Sequence, residues 1–233
     1  MENDKIVNGN CWAAYFDILG FKEFVLGFDD PENPHCYGVF VAELYNHMLE
    51  SFSEYTCGSR VFTAWFSDTF LLYTADDSYE SFVSIAHRAA SLCSVLVARH
   101  RPVRGSLGTG RLYAEQEKSI FIGSALIDAY KYGEKQNWIG FVMTPKAEDK
   151  FNSIPKDDGR KKTPWGCCDY CKYDVPMKGG HEKLWTAKIG RFPGVREVIN
   201  QGANGSNEYR EKYKNTLDFI DECSDPRFTG LGT

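Results

Sequence analysis

WAAYFDILGFKEF, residues 12–24, is an apolar run with one carboxylate, Asp17, near its middle. The run predicts a strand from Cys11 to Leu19 that ends at Gly20, because glycine commonly marks a turn. A carboxylate among so many apolar residues is costly to bury unless a cation lies against it. The run therefore predicts a core strand and, at the end of that strand, a position that attracts a cation.

A second apolar run further along the chain repeats this arrangement. RVFTAWFSDTFLLYT, residues 60–74, predicts two strands, Arg60–Phe66 and Thr69–Thr74, that meet in a tight hairpin at Asp68. Either aspartate taken singly is most often a turn or helix-cap residue. Two strands that each carry one Asp can hold a divalent cation, because Mg²⁺ takes one or two protein carboxylates and completes its shell with phosphates and water. Asp17 and Asp68 together therefore predict a metal site suited to phosphate chemistry.

The composition limits the classes of protein that the chain can belong to. The 233 residues are 42% hydrophobic and 15% aromatic, which is enough for a packed core, and the formal net charge is -5. A slightly acidic chain is not expected to bind nucleic acid, although a small anionic ligand remains possible. The N-terminus lacks a signal-peptide pattern, and no run reaches the roughly twenty apolar residues of a membrane span. The eight cysteines are scattered, so we expect reduced thiols in a cytoplasmic protein that binds no membrane.

The rest of the chain predicts alternating helices and strands. Besides the three strands above, the predicted elements are helices at 37–55, 78–100, 124–134, 145–151 and 207–223, and strands at 103–112, 139–144 and 183–189. The order β-α-β-β-α-β-α-β predicts an α+β fold, a ferredoxin-like antiparallel sheet with helices, followed by an insertion and a C-terminal helix. We expect one domain over residues 1–233, with an irregular insertion at about 152–180.

Five segments of the chain resemble, in the same order, the motifs of class III nucleotide cyclases. They are FDILGF (16–21), FSD (66–68), RGSLGTGR (104–111), FIGSALIDAYKY (121–132) and VPMKGGHEKLWT (175–186). The first two are similar to the two metal-binding elements of that family, and the third to its Arg-then-glycine strand. The fourth resembles the Gly-led segment that opens a helix, and the fifth the late Lys-Gly hairpin. The resemblance implies the class III cyclase fold.

The resemblance also implies an activity and a set of site residues. Class III cyclases convert a nucleoside triphosphate to a 3′,5′-cyclic monophosphate and pyrophosphate, as homodimers with active sites at the interface. Asp17 and Asp68, with the Ile18 carbonyl, would bind two Mg²⁺ or Mn²⁺ ions. Arg104 and Lys178 would contact phosphate oxygens and compensate charge as the P–O bond breaks. Without the resemblance, Arg104 is a surface charge at a strand end and Lys178 a solvated loop lysine.

Two departures from the family pattern concern the predicted helix at 124–134. Ile127 and Lys131 stand where these cyclases carry Asn and Arg. Lys131 retains a positive charge for the transition state but cannot form a bidentate fork. The loss of Asn and Arg leaves open an alternative, a catalytically inactive nucleotide-binding dimerisation module.

Two further departures concern recognition of the base. Ala64 replaces the Lys or Glu that reads the base in purine cyclases, and Ile120 replaces a second polar partner. Apolar side chains would leave the hydrogen-bonding groups of a purine edge unpaired. The combination resembles the pyrimidine cyclases of the bacterial Pycsar antiphage system, and this resemblance implies UTP as the substrate. The alternatives are CTP, or a purine nucleotide whose base is contacted by residues at other positions. Trp65 and Tyr130 are candidate base contacts, although such aromatics are more often core residues.

A cysteine cluster, CCDYC at residues 167–171, precedes His181. A zinc site needs four ligands at recognisable spacing, and only one C-x-x-C pair, Cys168 with Cys171, is available next to Cys167. We therefore do not expect zinc and place these thiols in the insertion or at a dimer contact.

Overall fold

The computed structural model describes residues 6–27, 37–53, 59–155, 170–205 and 208–224. Its strands are β1 (Ile6–Ile18), β2 (Val61–Phe66), β3 (Thr69–Thr74), β4 (Val103–Glu115), β5 (Ile120–Gly123), β6 (Gly140–Met143), β7 (Tyr170–Met177) and β8 (Gly180–Ala187). Its helices are α1 (Phe21–Leu26), α2 (Tyr37–Ser53), α3 (Tyr79–Ala98), α4 (Ser124–Lys135), α5 (Pro145–Ser153), α6 (Val195–Asn204) and α7 (Arg210–Ser224).

The eight strands form one sheet in the order β2-β3-β1-β4-β6-β8-β7, and β5 pairs with β4 beside this path. Neighbouring strands are antiparallel except for β4 and β6. Those two run parallel because the chain between them crosses over through α4. The expected α+β fold, with a mostly antiparallel sheet and helices, is confirmed.

The central strand β1 supplies both faces of the sheet, since successive side chains of a strand point to opposite sides. Trp12 and Phe16 are fully buried in the larger core, which lies under α2, α3, α5, α6 and α7. Cys11 and Ala13 belong to a smaller core beneath α4. Asp17 has the same parity as Cys11 and Ala13, so its side chain lies on the side of the sheet covered by α4, called here the α4 face.

The helix α3 corrects one expectation from the sequence. It is the one helix, among the described residues, that is long and apolar enough to cross a membrane by length and composition. Its most apolar window has a mean hydropathy of 1.5, and 67% of that window is buried within the fold. Phe82, Ile85 and Leu92 of α3 pack in the larger core. A core helix and a membrane helix satisfy the same compositional test, and burial here accounts for the apolar character of α3.

The segment expected to be irregular, residues 152–180, contains the strand β7. The expectation was wrong for this part because β7 is the edge strand of the sheet. An edge strand tolerates polar outward side chains and a proline, here Asp174 and Pro176, which hide the usual strand pattern. Residues 156–169, including Cys167 and Cys168, lie outside the described part of the chain.

Other strand boundaries differ from the predicted ones, and the hydrogen-bonded pairing of the strands explains the differences. β4 continues to Glu115 because its end pairs with both β1 and β5. β8 begins at Gly180 rather than at 183 because its first residues pair with the end of β7. β5 is too short to show an alternating pattern, and it was not expected. α6 was also missed, although its buried Val195, Val198 and Ile199 follow helical spacing.

Candidate active site

Asp17 and Asp68 lie at the same end of the sheet. Asp17 is paired with Thr69 of β3, and Asp68 lies in the β2–β3 turn immediately before Thr69. The Ile18 amide donates a hydrogen bond to the Asp68 carbonyl at 3.0 Å. Ser67 completes the turn in the left-handed conformation, with φ of 55°. The fold thus brings the two carboxylates and the backbone of Ile18 into one neighbourhood.

Arg104 joins this neighbourhood because the β1–β4 register places it directly beside Asp17. Its Nε donates to Asp17 Oδ2 at 2.8 Å, and its Nη2 donates to Glu134 Oε1 at 2.7 Å. A third bond, from Nη1 to the Glu134 carbonyl at 3.1 Å, attaches the guanidinium to the end of α4. Arg104 is 8% exposed. It is a buried, fully oriented cation, not the strand-end surface charge of the simpler interpretation.

Burial and the neighbouring charged side chains shift the pKa of Asp17. Burial raises the pKa of Asp17 above its ordinary value, and the negative charges of Glu134 and Asp68 raise it further. Arg104 acts in the opposite direction, through its charge and its hydrogen bond. The ionised form of Asp17 therefore depends on a neighbouring cation. A divalent ion beside the two aspartates would favour the ionised form in the same way.

The residues present fit a divalent cation of the magnesium type. Asp17 engages Arg104 through Oδ2, which leaves Oδ1 for a ligand, and Asp68 supplies a second carboxylate. Within the described ranges, no group of three or more His, Cys, Asp or Glu side chains is arranged to hold a metal. A two-carboxylate site suits Mg²⁺ or Mn²⁺, which obtain their remaining ligands from water and substrate phosphates. It does not suit a closed structural zinc site, which takes four protein ligands.

Lys178 lies in the turn between β7 and β8 and is exposed. Its amide donates to the Lys135 carbonyl at 2.6 Å, so the turn is attached to the end of α4. Glu134, which binds Arg104, is the preceding residue of α4. The late hairpin therefore reaches the same corner of the sheet as Asp17.

Lys212 of α7 is a further cation at this corner, and no sequence motif predicts it. It is half-buried, and its Nζ donates to Asn137 Oδ1 at 3.3 Å. Burial lowers the pKa of Lys212, and the positive charges of Arg104 and Lys178 lower it further. The negative charges of Glu211 and Asp17 act in the opposite direction. Lys212 thus lies within electrostatic range of the three charged residues of the site.

The four candidate base contacts lie in different places. Ala64 is on the α4 face, since it pairs with Leu71, a member of the smaller core. Trp65 is on the opposite face, where it stacks on Phe70 with ring centroids 5.2 Å apart. Its Nε1 also donates to the Ser67 carbonyl at 2.5 Å. Trp65 therefore packs with the larger core and does not face the Asp17 side of the sheet.

The other two candidates belong to β5 and α4. Tyr130 is 50% exposed and contacts Tyr15 edge-on, with ring centroids 5.4 Å apart. Tyr15 O–H donates to Glu134 Oε1 at 3.4 Å, so this aromatic pair adjoins the Arg104 network. Ile120 pairs with Glu115 at the far end of β4. The structure brings Tyr130 towards Asp17 of its own chain but leaves Ile120 remote from it.

The outward side of α4 is apolar and exposed. Ile127 is 54% exposed and Ile122 of the preceding strand 69% exposed, and Lys131 is exposed beside them. Glu134 continues the same side of the helix, four residues after Tyr130. Helical spacing from the predicted Tyr130 could have identified Glu134. Nothing in the sequence could have identified Lys212, because its position depends on how α7 packs.

The described part of the cysteine cluster forms a thiol pair. Cys171 Sγ lies 3.0 Å from Cys223 Sγ of α7. The hydrogen bond from Cys171 lowers the pKa of Cys223, as do the charges of Lys188 and Arg191, whereas burial acts in the opposite direction. Cys167 and Cys168 are outside the described residues, so a role for the full cluster stays a prediction.

No family model matches the chain, and no curated protein matches it. A bacterial light-regulated adenylyl cyclase has a similar structure, with a TM-score of 0.51 and 11% identity over 92% of this chain and 57% of that one. So does the non-canonical dimeric guanylyl cyclase domain of the RhoGC fusion protein from the aquatic fungus Blastocladiella emersonii, with a TM-score of 0.50 and 10% identity over 78% and 96%. At such identities the likeness establishes the fold, and it is the class III cyclase fold that the sequence motifs imply.

Proposed function

We propose that the protein is a metal-dependent nucleotidyl cyclase. The observation that carries the proposal is the convergence of Asp17, Asp68 and Arg104 at one end of a sheet with the class III cyclase fold. In the proposed reaction the ribose 3′-oxygen bonds to the α-phosphorus and the bond from that phosphorus to pyrophosphate breaks, while the hydroxyl proton passes to solvent. Divalent ions beside the two aspartates would lower the pKa of the 3′-hydroxyl and neutralise the triphosphate.

The cations of the site have separate tasks in this reaction. Arg104 is held by Asp17 and Glu134, so its guanidinium is oriented before substrate binds. A preoriented cation stabilises developing phosphate charge without a reorganisation cost. Lys178, exposed in a turn attached to α4, would contact phosphate oxygens from the solvent side.

The site is proposed to be completed by a second copy of the chain. Ile120 pairs with Glu115, eleven positions along β4 from Arg104, which is about 35 Å at the rise of a strand. A residue that far away reaches a base only in the site of a partner subunit. The exposed apolar side chains of Ile122 and Ile127 form a surface suited to such a partner. A homodimer would also place Lys131 of one copy beside the phosphates of the other.

We propose a pyrimidine substrate, UTP, with cyclic UMP as product. Ala64, on the same face as Asp17, and Ile120 offer no hydrogen-bonding group to a purine edge. CTP is the alternative, since neither side chain distinguishes uracil from cytosine. The resemblance to the Pycsar cyclases supports a role as a second-messenger synthase in antiphage defence within the cytoplasm.

The decisive experiment incubates the purified protein with each of the four ribonucleoside triphosphates and Mn²⁺, followed by chromatography of the products. Cyclic UMP or cyclic CMP as the main product supports the proposal. Cyclic AMP or cyclic GMP as the main product refutes the pyrimidine assignment. Asp17→Asn and Asp68→Asn should each abolish turnover, whereas Asp174→Asn, which changes an exposed carboxylate on β7, should not.

A nucleotide-binding dimerisation module without catalysis is the second candidate. The observation that favours it is the presence of Ile127 and Lys131 where the related cyclases carry Asn and Arg. Equilibrium binding of UTP without any cyclic product, in the presence of Mn²⁺, would establish this module and exclude the cyclase.

A further inference from the structure

We propose that Lys212 of the C-terminal helix α7 binds the outer phosphates of the nucleotide and the pyrophosphate released from it. This inference rests on the proposed cyclase reaction and adds to it a phosphate ligand from outside the segments, residues 16–186, that resemble the family. Its basis is the position of α7, the attachment of Lys212, and the charges that surround it.

The residue that immediately precedes α7, Tyr209, lies against the turn that follows β1. A methyl group added at Gly20 would meet the Tyr209 ring at 3.3 Å. Gly20 has a left-handed φ of 74° and follows Asp17 by three residues. Further along α7, Thr216 Oγ1 bonds to both the amide and the carbonyl of Ile139, at 2.8 and 2.9 Å. The helix is therefore fixed at two points, and Lys212 lies between them.

Asn137 holds the Lys212 ammonium in place. The Asn137 side chain accepts from Lys212 Nζ and donates to Glu211 Oε1 at 3.2 Å. The Asn137 amide donates to the Pro176 carbonyl at 2.9 Å, and its carbonyl accepts from Asn215 at 2.7 Å. One residue thus connects α7 to the strand that leads into the Lys178 turn. The acceptor that holds Lys212 is a neutral amide, and the adjacent Glu211 carboxylate acts on Lys212 only by its charge, which raises the pKa of the ammonium.

The cations at this corner differ in whether they form ion pairs. Arg104 forms ion pairs with Asp17 and Glu134. In the described part of the chain, neither Lys178 nor Lys212 forms an ion pair. The charges of Arg104 and Lys178 disfavour the ammonium of the half-buried Lys212, and an anion bound between the two lysines would favour it. A polyphosphate supplies several strong acceptor oxygens and removes the repulsion.

The test measures pyrophosphate binding, which does not require turnover. Isothermal titration calorimetry on the full chain with inorganic pyrophosphate and Mg²⁺ compares the parent with Lys212→Gln, Lys212→Arg and Lys214→Gln. Lys214 is exposed on the same helix and serves as the matched control. Lys212→Gln should weaken binding about 10- to 100-fold, the loss expected for one charge-assisted hydrogen bond. Lys212→Arg should recover most of it, and Lys214→Gln should stay within about twofold of the parent.

The outcomes separate this inference from the proposed function. Pyrophosphate binding that is unchanged in Lys212→Gln, equally weakened in Lys214→Gln, or undetectable in the parent overturns the assignment of Lys212. Selective loss in Lys212→Gln, with an unaltered thermal midpoint, supports it even if no nucleotide is cyclised. Cyclisation of UTP by a Lys212→Gln variant with unchanged KM and unchanged pyrophosphate inhibition leaves the cyclase in place and removes Lys212 from it.

Discussion

Arg104→Gln removes the cation around which the candidate site is organised. The side chains of Arg104 and Asp17 are only 10% and 13% exposed, and removal of one partner of a buried pair costs about 3–5 kcal/mol. Glu134 is 32% exposed, so the loss of its ion pair adds at most about 1 kcal/mol. Gln retains some hydrogen bonding, and proton uptake by Asp17 relieves part of the cost. We expect a net loss of about 3 kcal/mol in the free energy of unfolding at pH 8.

The loss of stability in Arg104→Gln should depend on pH, and the surroundings of Asp17 indicate whether it grows or shrinks as pH rises. The pKa of Asp17 is already raised by burial, and Arg104 is the cation that opposes this. Without Arg104 the pKa rises further above the ordinary value of about 3.9. A raised carboxyl pKa costs stability as pH rises from the unfolded-state pKa through the folded-state pKa. The deficit of Arg104→Gln should therefore be small near pH 4 and reach its full size at neutral pH.

Urea unfolding followed by circular dichroism, at several pH values between 4 and 8, measures this deficit. Arg111→Gln is the matched control, because Arg111 is exposed on the same strand and should contribute less than about 0.5 kcal/mol. The double variant Asp17→Asn with Arg104→Gln should be less unstable than the sum of the single variants, since both remove the same pair. A deficit below about 0.5 kcal/mol, or one that does not vary with pH, would contradict the role of Arg104 as the buried partner of Asp17.

Three further outcomes are expected. Because the pKa of Asp17 is raised, the affinity for Mn²⁺ should fall as pH decreases, starting at a higher pH than for an ordinary aspartate; calorimetry that shows constant affinity from pH 5 to 8 would contradict this. Hydrogen peroxide should convert Cys171 and Cys223, whose sulfurs lie 3.0 Å apart, into a disulfide with release of water, as a peptide map would show; two separately oxidised thiols would contradict the contact. Gly133→Ala should lower stability by about 1–3 kcal/mol, because its methyl group would lie 2.6 Å from the Tyr15 ring; an unchanged urea midpoint would contradict that packing.

Much of the fold follows from local patterns. The apolar run of β1, the hairpin at Asp68 and the apolar stripe of α3 each predict an element that the structure contains. A strand buried on both faces is apolar throughout, and a helix buried on one face repeats its apolar residues with the helical period. β7 did not follow, because an edge strand needs no alternation and tolerates Pro176. The long apolar stretch of α3 is explained only by the core around it.

The candidate site, like the fold, could be predicted from the sequence only in part. The positions of Asp17 and Asp68 at the ends of apolar strands could be predicted from the sequence alone, because a charge inside an apolar run is costly to bury and requires a partner. The identity of that partner could not be predicted from the sequence. Arg104 binds both Asp17 and Glu134 only because the register of β1 against β4 and the packing of α4 bring them together. Lys212 joins them through a helix distant in sequence, since Coulomb interactions act across space whatever the separation along the chain. The sequence determined which carboxylates needed a cation, and the tertiary structure decided which cations they have.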